Sequence, residues 1–152
     1  MTARNRAAEY LNAQVRIHCP RTKVEDLTNE QLDVLVAEKA MGWAQEDGWW
    51  FDPKEPVMVL YTVLPLHEYD ANLWSPSTDI AHAFRVDRPE WEWCFEESGL
   101  SLDITIWDTN NVDCHTYLAD LTIPFDPDNK TAAYCRGRCI AACYACGVTE
   151  VE

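Results

Sequence analysis

The chain has 152 residues, of which 12 are Lys or Arg and 26 are Asp or Glu, so its formal net charge is -14. A nucleic-acid backbone or an anionic membrane is therefore disfavoured as the main partner, because both require a basic surface. The length suits one domain with a single core, and no stretch approaches the roughly 20 apolar residues of a membrane span. We expect a soluble cytosolic protein with no direct binding to nucleic acid or membrane.

Charge is distributed unevenly along the chain. Residues 1–24 carry a balance of +4, so the remainder carries -18. We predict a basic N-terminal arm over residues 1–24, partly helical, in front of a single acidic domain over residues 25–152. Acidity of this kind usually serves solubility, but it also suits a surface that occupies a basic site on another macromolecule.

The first clear helix is predicted from Asn29 to about Met41. Thr28 and Gln31 have the spacing of a capping box at its start, and Gly42 offers a left-handed stop at its end. The stripe predicted to be buried comprises Leu32, Leu35, Val36 and Ala40. The side predicted to face solvent comprises Glu30, Asp33 and Glu38.

An apolar run over residues 56–64 follows a loop rich in Trp and Asp, and it predicts a strand that is buried on both faces or at least covered at both ends. A short second helix is predicted after Trp74, with Ser75 or Ser77 as the cap and Pro76 in its first turn. Its predicted inward face comprises Ile80, Ala83 and Phe84.

Three segments then alternate with a period of two, and they predict an antiparallel meander over residues 91–97, 100–107 and 112–119. Leu100 is assigned to the apolar face of the middle strand. A last helix is predicted from Lys130 to Ala145, opened by Asp128 or Thr131 and closed by Gly147. The residues predicted to form the core are Leu32, Leu35, Val36, Ile80, Leu102, Ile104, Ile106 and Ile140.

These elements together predict an α+β fold. With the strand over residues 56–64, the meander would form a mainly antiparallel sheet of four or more strands. Helices would pack on this sheet in an α/β/α sandwich-like arrangement.

Four cysteines, Cys135, Cys139, Cys143 and Cys146, lie on one side of the last predicted helix. The outer two are separated by roughly 16 Å along the helix axis, whereas zinc holds each sulfur at about 2.3 Å. We expect reduced cysteines packed among alanines, with no metal and no cofactor. Two alternatives stay open: a metal site that includes two of these residues, and Cys143 with Cys146 as a redox pair.

No catalytic constellation stands out in the sequence. The histidines lack metalloprotease spacing, and no glycine-rich phosphate loop, nucleophile elbow or kinase signature is present. Asp79 and His82 lie three residues apart, a spacing more typical of a surface contact than of a catalytic pair. We therefore predict that the protein is not an enzyme.

Tryptophan is unusually frequent, with seven residues in the chain. Trp49, Trp50 and Trp74 adjoin predicted loops, where they could anchor a partner or pack as a lid over the sheet. The acidic residues predicted to form a binding face, on the solvent side of the sheet and its turns, are Glu90, Glu92, Glu96, Glu97, Asp103, Asp108 and Asp113.

Three segments, Leu35–Trp43, Trp74–Ala81 and Arg138–Ala142, together resemble the phage ABA sandwich domain family, small proteins encoded by phages and prophages. The resemblance covers about residues 30–147. It implies helices on the faces of a central β-sheet and a place in the bacterial host cytosol. It implies no activity, because the family is functionally uncharacterised, and the basic arm and the cysteine density lie outside its pattern.

Small accessory phage proteins without enzymatic signatures often bind host machinery, including immune systems. The leading hypothesis is an inhibitor that binds a host or defence protein through an acidic surface, with nucleic-acid mimicry as one way to do so. A second hypothesis is a sponge for a nucleotide signal, for which the candidate phosphate-binding residues are Arg85, Arg88, Arg136 and Arg138. A third is a structural or virion-associated protein, and a homo-oligomer is compatible with all three.

Overall fold

The computed structural model describes residues 21–55, 57–63, 72–110 and 117–151. Within these ranges the fold is α+β, as predicted, with three α-helices and eight strands. The helices are α1 (Asn29–Leu35, continued by a π-helical turn over Val36–Ala40), α2 (Ile80–Arg85) and α3 (Lys130–Ala145). The strands are β1 (Thr22–Lys23), β2 (Ala44–Glu46), β3 (Trp49–Asp52), β4 (Val57–Thr62), β5 (Trp91–Ser98), β6 (Ser101–Asp108), β7 (Tyr117–Pro124) and β8 (Glu150–Val151).

The strands form three antiparallel sheets rather than one sheet of four or more strands. β5, β6 and β7 make the predicted meander, whereas β4 lies in a second sheet with β2 and β3, and β1 pairs with β8. The prediction that β4 joins the meander was therefore wrong. The segment expected to be a loop supplies its partner: Asp47 and Gly48 have φ angles of 52° and 83°, the left-handed turn that closes a hairpin between β2 and β3.

α1 begins and ends as predicted, with both hydrogen bonds of the Thr28–Gln31 capping box present and Gly42 at φ 71°. The predicted apolar stripe is buried. Asp33 was wrongly assigned to the solvent side, because it is only 7% exposed. The segment before α2 covers it, and the Ser77 N–H donates to its Oδ1 at 2.8 Å.

Apolar residues that were expected inside lie outside on β4 and α2. Leu60 is 75% exposed, so β4 is not buried on both faces. In α2 the cap is Asp79, and Ile80 and Phe84 are 41% and 66% exposed. Ala83 is buried as predicted, and His82 takes an inward position in place of Ile80 and Phe84, because its ring packs on Tyr61 and Trp74.

The meander keeps its predicted first two strands, but two details differ. Leu100 lies in the turn after Gly99 and is 68% exposed, so it does not share the apolar face. The third strand runs over Tyr117–Pro124 rather than residues 112–119, and residues 111–116 lie outside the described part of the chain. Ala119 and Leu121 occupy alternate positions and are both buried, so they identify which side chains of β7 face the core.

α3 has its predicted bounds, and Gly147 at φ 80° follows its end. Its predicted side-chain caps were wrong: Asn129 occupies the cap position without a side-chain hydrogen bond, and Asp126 caps the preceding 3-10 turn instead. A methyl group at Gly137 would lie 2.6 Å from Ile104 and Ile123, so this glycine lets α3 approach the meander closely. The core forms at this contact.

The start of the described chain is tied to the domain. Thr22 and Lys23 pair with β8, and Val24 is fully buried in the core. Residues 22–24, which were assigned to the basic arm, therefore pack with the body. None of the described helices has the length and apolar character needed to cross a membrane.

Candidate functional site

The meander has one face covered by α3 and one face turned away from it. Antiparallel partners share a face and successive residues alternate, so the strand register assigns each side chain to a side. The face away from α3, called the outer face below, comprises Glu92, Cys94, Glu96 and Ser98 of β5, Ser101, Asp103, Thr105 and Trp107 of β6, and Tyr117, Asp120, Thr122 and Pro124 of β7.

The outer face carries charge of one sign. Its ionisable side chains besides Cys94 and Tyr117 are the carboxylates of Glu92, Glu96, Asp103 and Asp120, and it contains no Lys or Arg. Glu96 and Asp103 are direct cross-strand partners. Like charges directly opposite each other destabilise an antiparallel pair, so sheet stability does not explain this arrangement.

Hydrogen bonding organises one of these carboxylates. Thr122, the partner of Asp103 on β7, donates from its Oγ1 to Asp103 Oδ1 at 2.7 Å. This bond orients Asp103 between Glu96 and Thr122 and leaves its negative charge uncompensated. The centre of the outer face therefore presents a fixed anionic group, with Asp120 further along β7.

An aromatic pair closes one end of the outer face. The ring centroids of Trp107 and Tyr117 lie 3.9 Å apart with an interplanar angle of 39°. Tyr117 is 52% exposed, and Trp107 is half-buried. Large amphipathic rings beside charged groups are typical of protein contact surfaces.

The structure brings three of the predicted acidic residues, Glu92, Glu96 and Asp103, together on the outer face. Glu97 was wrongly placed there, since it lies on the side of α3, where Lys130 Nζ and the Tyr134 hydroxyl each donate to it at 3.0 Å. The Lys130 hydrogen bond, and then that of Tyr134, lower the pKa of Glu97.

The remaining predicted acids lie at the margins of the meander. Glu90 precedes β5, 3.9 Å from Arg88. Asp108 is the partner of the buried Trp91, and its carboxylate accepts the Asn110 N–H at 2.9 Å within the following turn. Asp113 lies outside the described residues.

Sequence reasoning missed Asp120, Trp107 and Tyr117 as members of this surface. The alternation of Ala119, Leu121 and Ile123 with Asp120 and Thr122 carried the necessary signal, but the third strand was placed five residues too early. Without a contact across strands, nothing in the sequence pairs Trp107 with Tyr117.

The tryptophans predicted as loop anchors lie in or against the second sheet. Trp50 is on β3 and fully buried, and Trp74 is also buried. They belong to an aromatic cluster with Trp43, Tyr61 and His82, in which Trp43 and Trp74 have ring centroids 4.9 Å apart. Trp49, also on β3, is half-buried. Two of the three therefore pack inside, which matches the alternative of a packed lid.

His82 is held in the neutral form by its surroundings. The Ser75 N–H donates to His82 Nδ1 at 3.0 Å, and Asp79 Oδ2 lies 3.9 Å from Nε2. Burial lowers the pKa of His82. The Ser75 hydroxyl is 3.4 Å from the same nitrogen, but the backbone N–H occupies the lone pair that a serine nucleophile would need. This group of residues caps and packs α2.

The cysteines of α3 pack in the core, as predicted. Cys135, Cys139 and Cys143 are fully buried, and Cys146 is half-buried. Burial raises the pKa of each thiol, that of Cys143 to about 12. A raised pKa lowers the fraction of thiolate, the form that metal binding and disulfide exchange both require. Among the described residues, no group of three or more His, Cys, Asp or Glu side chains is arranged to hold a metal ion.

The four arginines considered for a nucleotide phosphate each contact the protein. Arg85 donates to the Tyr61 hydroxyl. Arg88 donates to two carbonyl groups of α1. Arg136 donates to Asn29 and to two carbonyl groups that precede α1. Arg138 is buried beside Trp93 and donates to the Val86 carbonyl. These contacts give each guanidinium a structural role.

Comparison with known proteins gives no relative for this chain. No family model matches the sequence, and no curated protein or solved structure matches it either. The resemblance to the phage ABA sandwich domain family therefore stays a prediction.

Proposed function

We propose that this protein is a non-enzymatic phage or prophage accessory protein that inhibits a host or defence protein by binding it through the outer face. The observation that carries the proposal is the charge of that face, where Glu96 and Asp103 oppose each other and no Lys or Arg lies nearby on the three strands. A basic partner would relieve this repulsion, because its cations would pair with both carboxylates.

The partner class follows from the same chemistry. A row of carboxylates on a rigid sheet presents negative charge where a nucleic acid presents phosphates, and a basic nucleic-acid-binding site accepts either. Occupation of such a site would block it without any chemical step. The net charge of -14 adds long-range steering toward a basic surface.

Charge alone gives little affinity, since exposed ion pairs contribute about 0 to 1 kcal/mol each. Trp107 and Tyr117 supply the desolvated anchor that the proposal requires, at one end of the outer face. They take the role that the sequence assigned to Trp49, Trp50 and Trp74.

The phage origin and the host cytosol rest on the resemblance of Leu35–Trp43 and Trp74–Ala81 to the phage ABA sandwich domain family. That family context favours a protein of the infected bacterial cell as the target. It adds nothing to the choice of binding surface, which rests on the outer face.

Capture from a bacterial lysate tests the proposal. The immobilised full chain is compared with Glu92→Lys/Glu96→Lys on the outer face and with Glu30→Lys/Glu38→Lys on α1, which changes the net charge equally at exposed positions. The expected result is a basic protein retained by the wild type and the α1 variant but lost from the outer-face variant. Equal retention by the wild type and both variants would contradict the proposal, and a nucleotide that co-purifies in place of a protein would favour the sponge hypothesis.

A further inference from the structure

The meander ends in an edge strand whose outer hydrogen-bonding groups have no partner among the described residues. The strand order is β5-β6-β7, so among the described strands β7 has a neighbour on one side only. Natural edge strands are commonly protected by Lys, Pro or a bulge. β7 has a register shift at its start and Pro124 at its end, and the residues between them carry no such protection.

The backbone groups that point outward can be identified from the register. Phe125 N–H donates to the Leu100 carbonyl at 2.9 Å, and Pro124 is the partner of Ser101. Pro124 and Ser101 are therefore a non-hydrogen-bonded pair, and hydrogen-bonded and non-hydrogen-bonded pairs alternate along an antiparallel ladder. It follows that the N–H groups of Leu121 and Ile123 point toward β6, whereas those of Asp120 and Thr122 point away from the sheet.

A groove lies along the last residues of this edge. Its volume is about 560 Å³, and it is lined by Thr122 to Asp126 of the edge and the segment after it, by Glu25 and Asp26, and by residues of α3. The apolar side chains in its lining are Ile123, Pro124, Phe125, Ala132, Ala133 and Ile140, of which Phe125 and Ile140 are buried. Volumes of this size accept several side chains of a partner.

The groove is also negatively charged. Its lining contains the carboxylates of Glu25, Asp26 and Asp126 against the single guanidinium of Arg136. The Arg136 side chain donates to Asn29 Oδ1 at 2.8 Å and to the Glu25 carbonyl at 2.9 Å, so its N–H groups are already engaged within the protein. These carboxylates therefore add to the negative charge around the edge, which favours a basic segment even though apolar side chains also line the groove.

We propose that β7 is a docking edge for an extended basic segment of the partner protein, which adds to the meander as a fourth strand next to Tyr117–Pro124. The inference rests on the proposed function, since it describes how a basic partner would engage the protein. Backbone hydrogen bonds to Asp120 and Thr122 supply the pairing, as in other cases of strand addition. Side chains of the added strand alternate between the outer face, near Asp120 and Asp103, and the apolar groove.

The segment therefore alternates basic and apolar residues. Lys or Arg on the outer side meets the carboxylates of β6 and β7, and an aliphatic residue on the other side enters the groove. A second copy of this chain fits poorly, because pairing of two β7 edges would bring Asp120 of one copy toward the acidic strand of the other.

A synthetic ten-residue peptide of alternating lysine and valine is the probe. A lysine–proline peptide of the same length and charge is its control, because it lacks half of the N–H groups that a ladder requires. Both are titrated into the full chain, with amide hydrogen exchange followed residue by residue. The expected result is slower exchange at Asp120 and Thr122 with the lysine–valine peptide only.

Matched variants at one position separate pairing from charge. Thr122→Pro removes an outward N–H, whereas Thr122→Val retains it, and both lose the hydrogen bond to Asp103. Thr122→Pro should bind the lysine–valine peptide about two- to tenfold more weakly than Thr122→Val, the effect of one lost hydrogen bond. The exchange experiment on the wild type does not depend on how well either variant folds.

Three outcomes would overturn the docking edge. They are equal binding of both peptides, no binding of the lysine–valine peptide, and slow exchange of Asp120 and Thr122 in the free protein, which would show an edge that is already paired. If both peptides bind equally well, and Glu92→Lys/Glu96→Lys weakens the binding of both, the docking edge is wrong but the proposed function of the acidic outer face stands. If the outer-face variant captures the same lysate protein as the wild type, the proposed function fails, and the docking edge that rests on it fails too.

Discussion

The guanidinium of Arg138 lies against the ring of Trp93, with its Cζ atom 4.0 Å from the ring centroid. This contact joins α3 to β5. Arg138 Nε also donates to the Val86 carbonyl at 3.2 Å, and this hydrogen bond joins α3 to the segment after α2. Arg138 is only 8% exposed, so the aromatic face and the carbonyl replace much of the water that the cation would otherwise bind. One side chain thereby ties three elements together.

Arg138→Lys should destabilise the fold by about 1 to 3 kcal/mol, because an ammonium group cannot both stack on Trp93 and reach the Val86 carbonyl. Lys130→Ala is the comparison, since its ion pair with Glu97 is exposed and should contribute little to stability. Urea unfolding of the two variants measures the difference. A loss no larger for Arg138→Lys than for Lys130→Ala would show that the buried contact contributes little.

The helical phase of α1 predicts a large loss of stability from substitution at one position and almost none from substitution three residues later. Leu35 is buried in the core, so Leu35→Ala should lower the free energy of unfolding by about 2 to 5 kcal/mol. Glu38 is exposed, and Glu38→Ala should change it by less than about 0.5 kcal/mol. Chemical denaturation checks both values, and similar losses at the two positions would mean that the buried side of α1 is misassigned.

Asp33 makes the stability of the fold depend on pH. Burial raises its pKa to about 6, so between about pH 4 and pH 6 the folded state binds a proton that the unfolded state has released. Protonated Asp33 therefore contributes its full stabilisation of the fold below that pH window, and this stabilisation is lost as the pH rises through about 6.

Asp33→Asn isolates this effect, because its amide oxygen can still accept the Ser77 N–H. At pH 8 the variant should be more stable than the wild type by about 1 to 2 kcal/mol, less than the full pKa shift allows since the carboxylate keeps some solvation. At pH 4 the two proteins should be alike. Parallel unfolding curves at both pH values with no change in their difference would argue against a raised pKa.

The cysteines should differ in reactivity according to burial. Among the described residues, Cys94 and Cys146 are half-buried, whereas Cys135, Cys139 and Cys143 are buried thiols. Alkylation of the folded protein, followed by peptide mass spectrometry, should label the first two well before the other three. Unfolding should expose all seven thiols of the chain, and elemental analysis should find no stoichiometric zinc. Rapid labelling of Cys139 in the folded state would contradict the packing of α3.

The sequence predicted those features that local chemistry determines. The capping box at Thr28, the stop at Gly42 and the bounds of α3 depend on residues close in the chain. The inward side of β6 follows from strict alternation. These local signals predicted much of the helical content and the alternating faces of β5 and β6.

Contacts between distant segments account for the features that were missed. Asp33 is buried because residues more than forty positions later cover it, and Ile80 and Phe84 are exposed because His82 packs on Tyr61 and Trp74. The outer face was only partly predicted for the same reason. Alternation identified Glu92, Glu96 and Asp103, but only cross-strand pairing brings Asp120 and Trp107 into one surface with them.

We propose that the outer face, rather than total negative charge, captures a basic partner. The most direct test is the association rate of the captured partner with the wild type, Glu92→Lys/Glu96→Lys and Glu30→Lys/Glu38→Lys, measured from low to high ionic strength. Screening shortens the Debye length from about 8 Å at physiological salt to about 3 Å at 1 M, so the wild-type rate should fall steeply. Only the outer-face variant should lose association rate and salt dependence together, whereas equal losses in the two variants would show that total charge captures the partner.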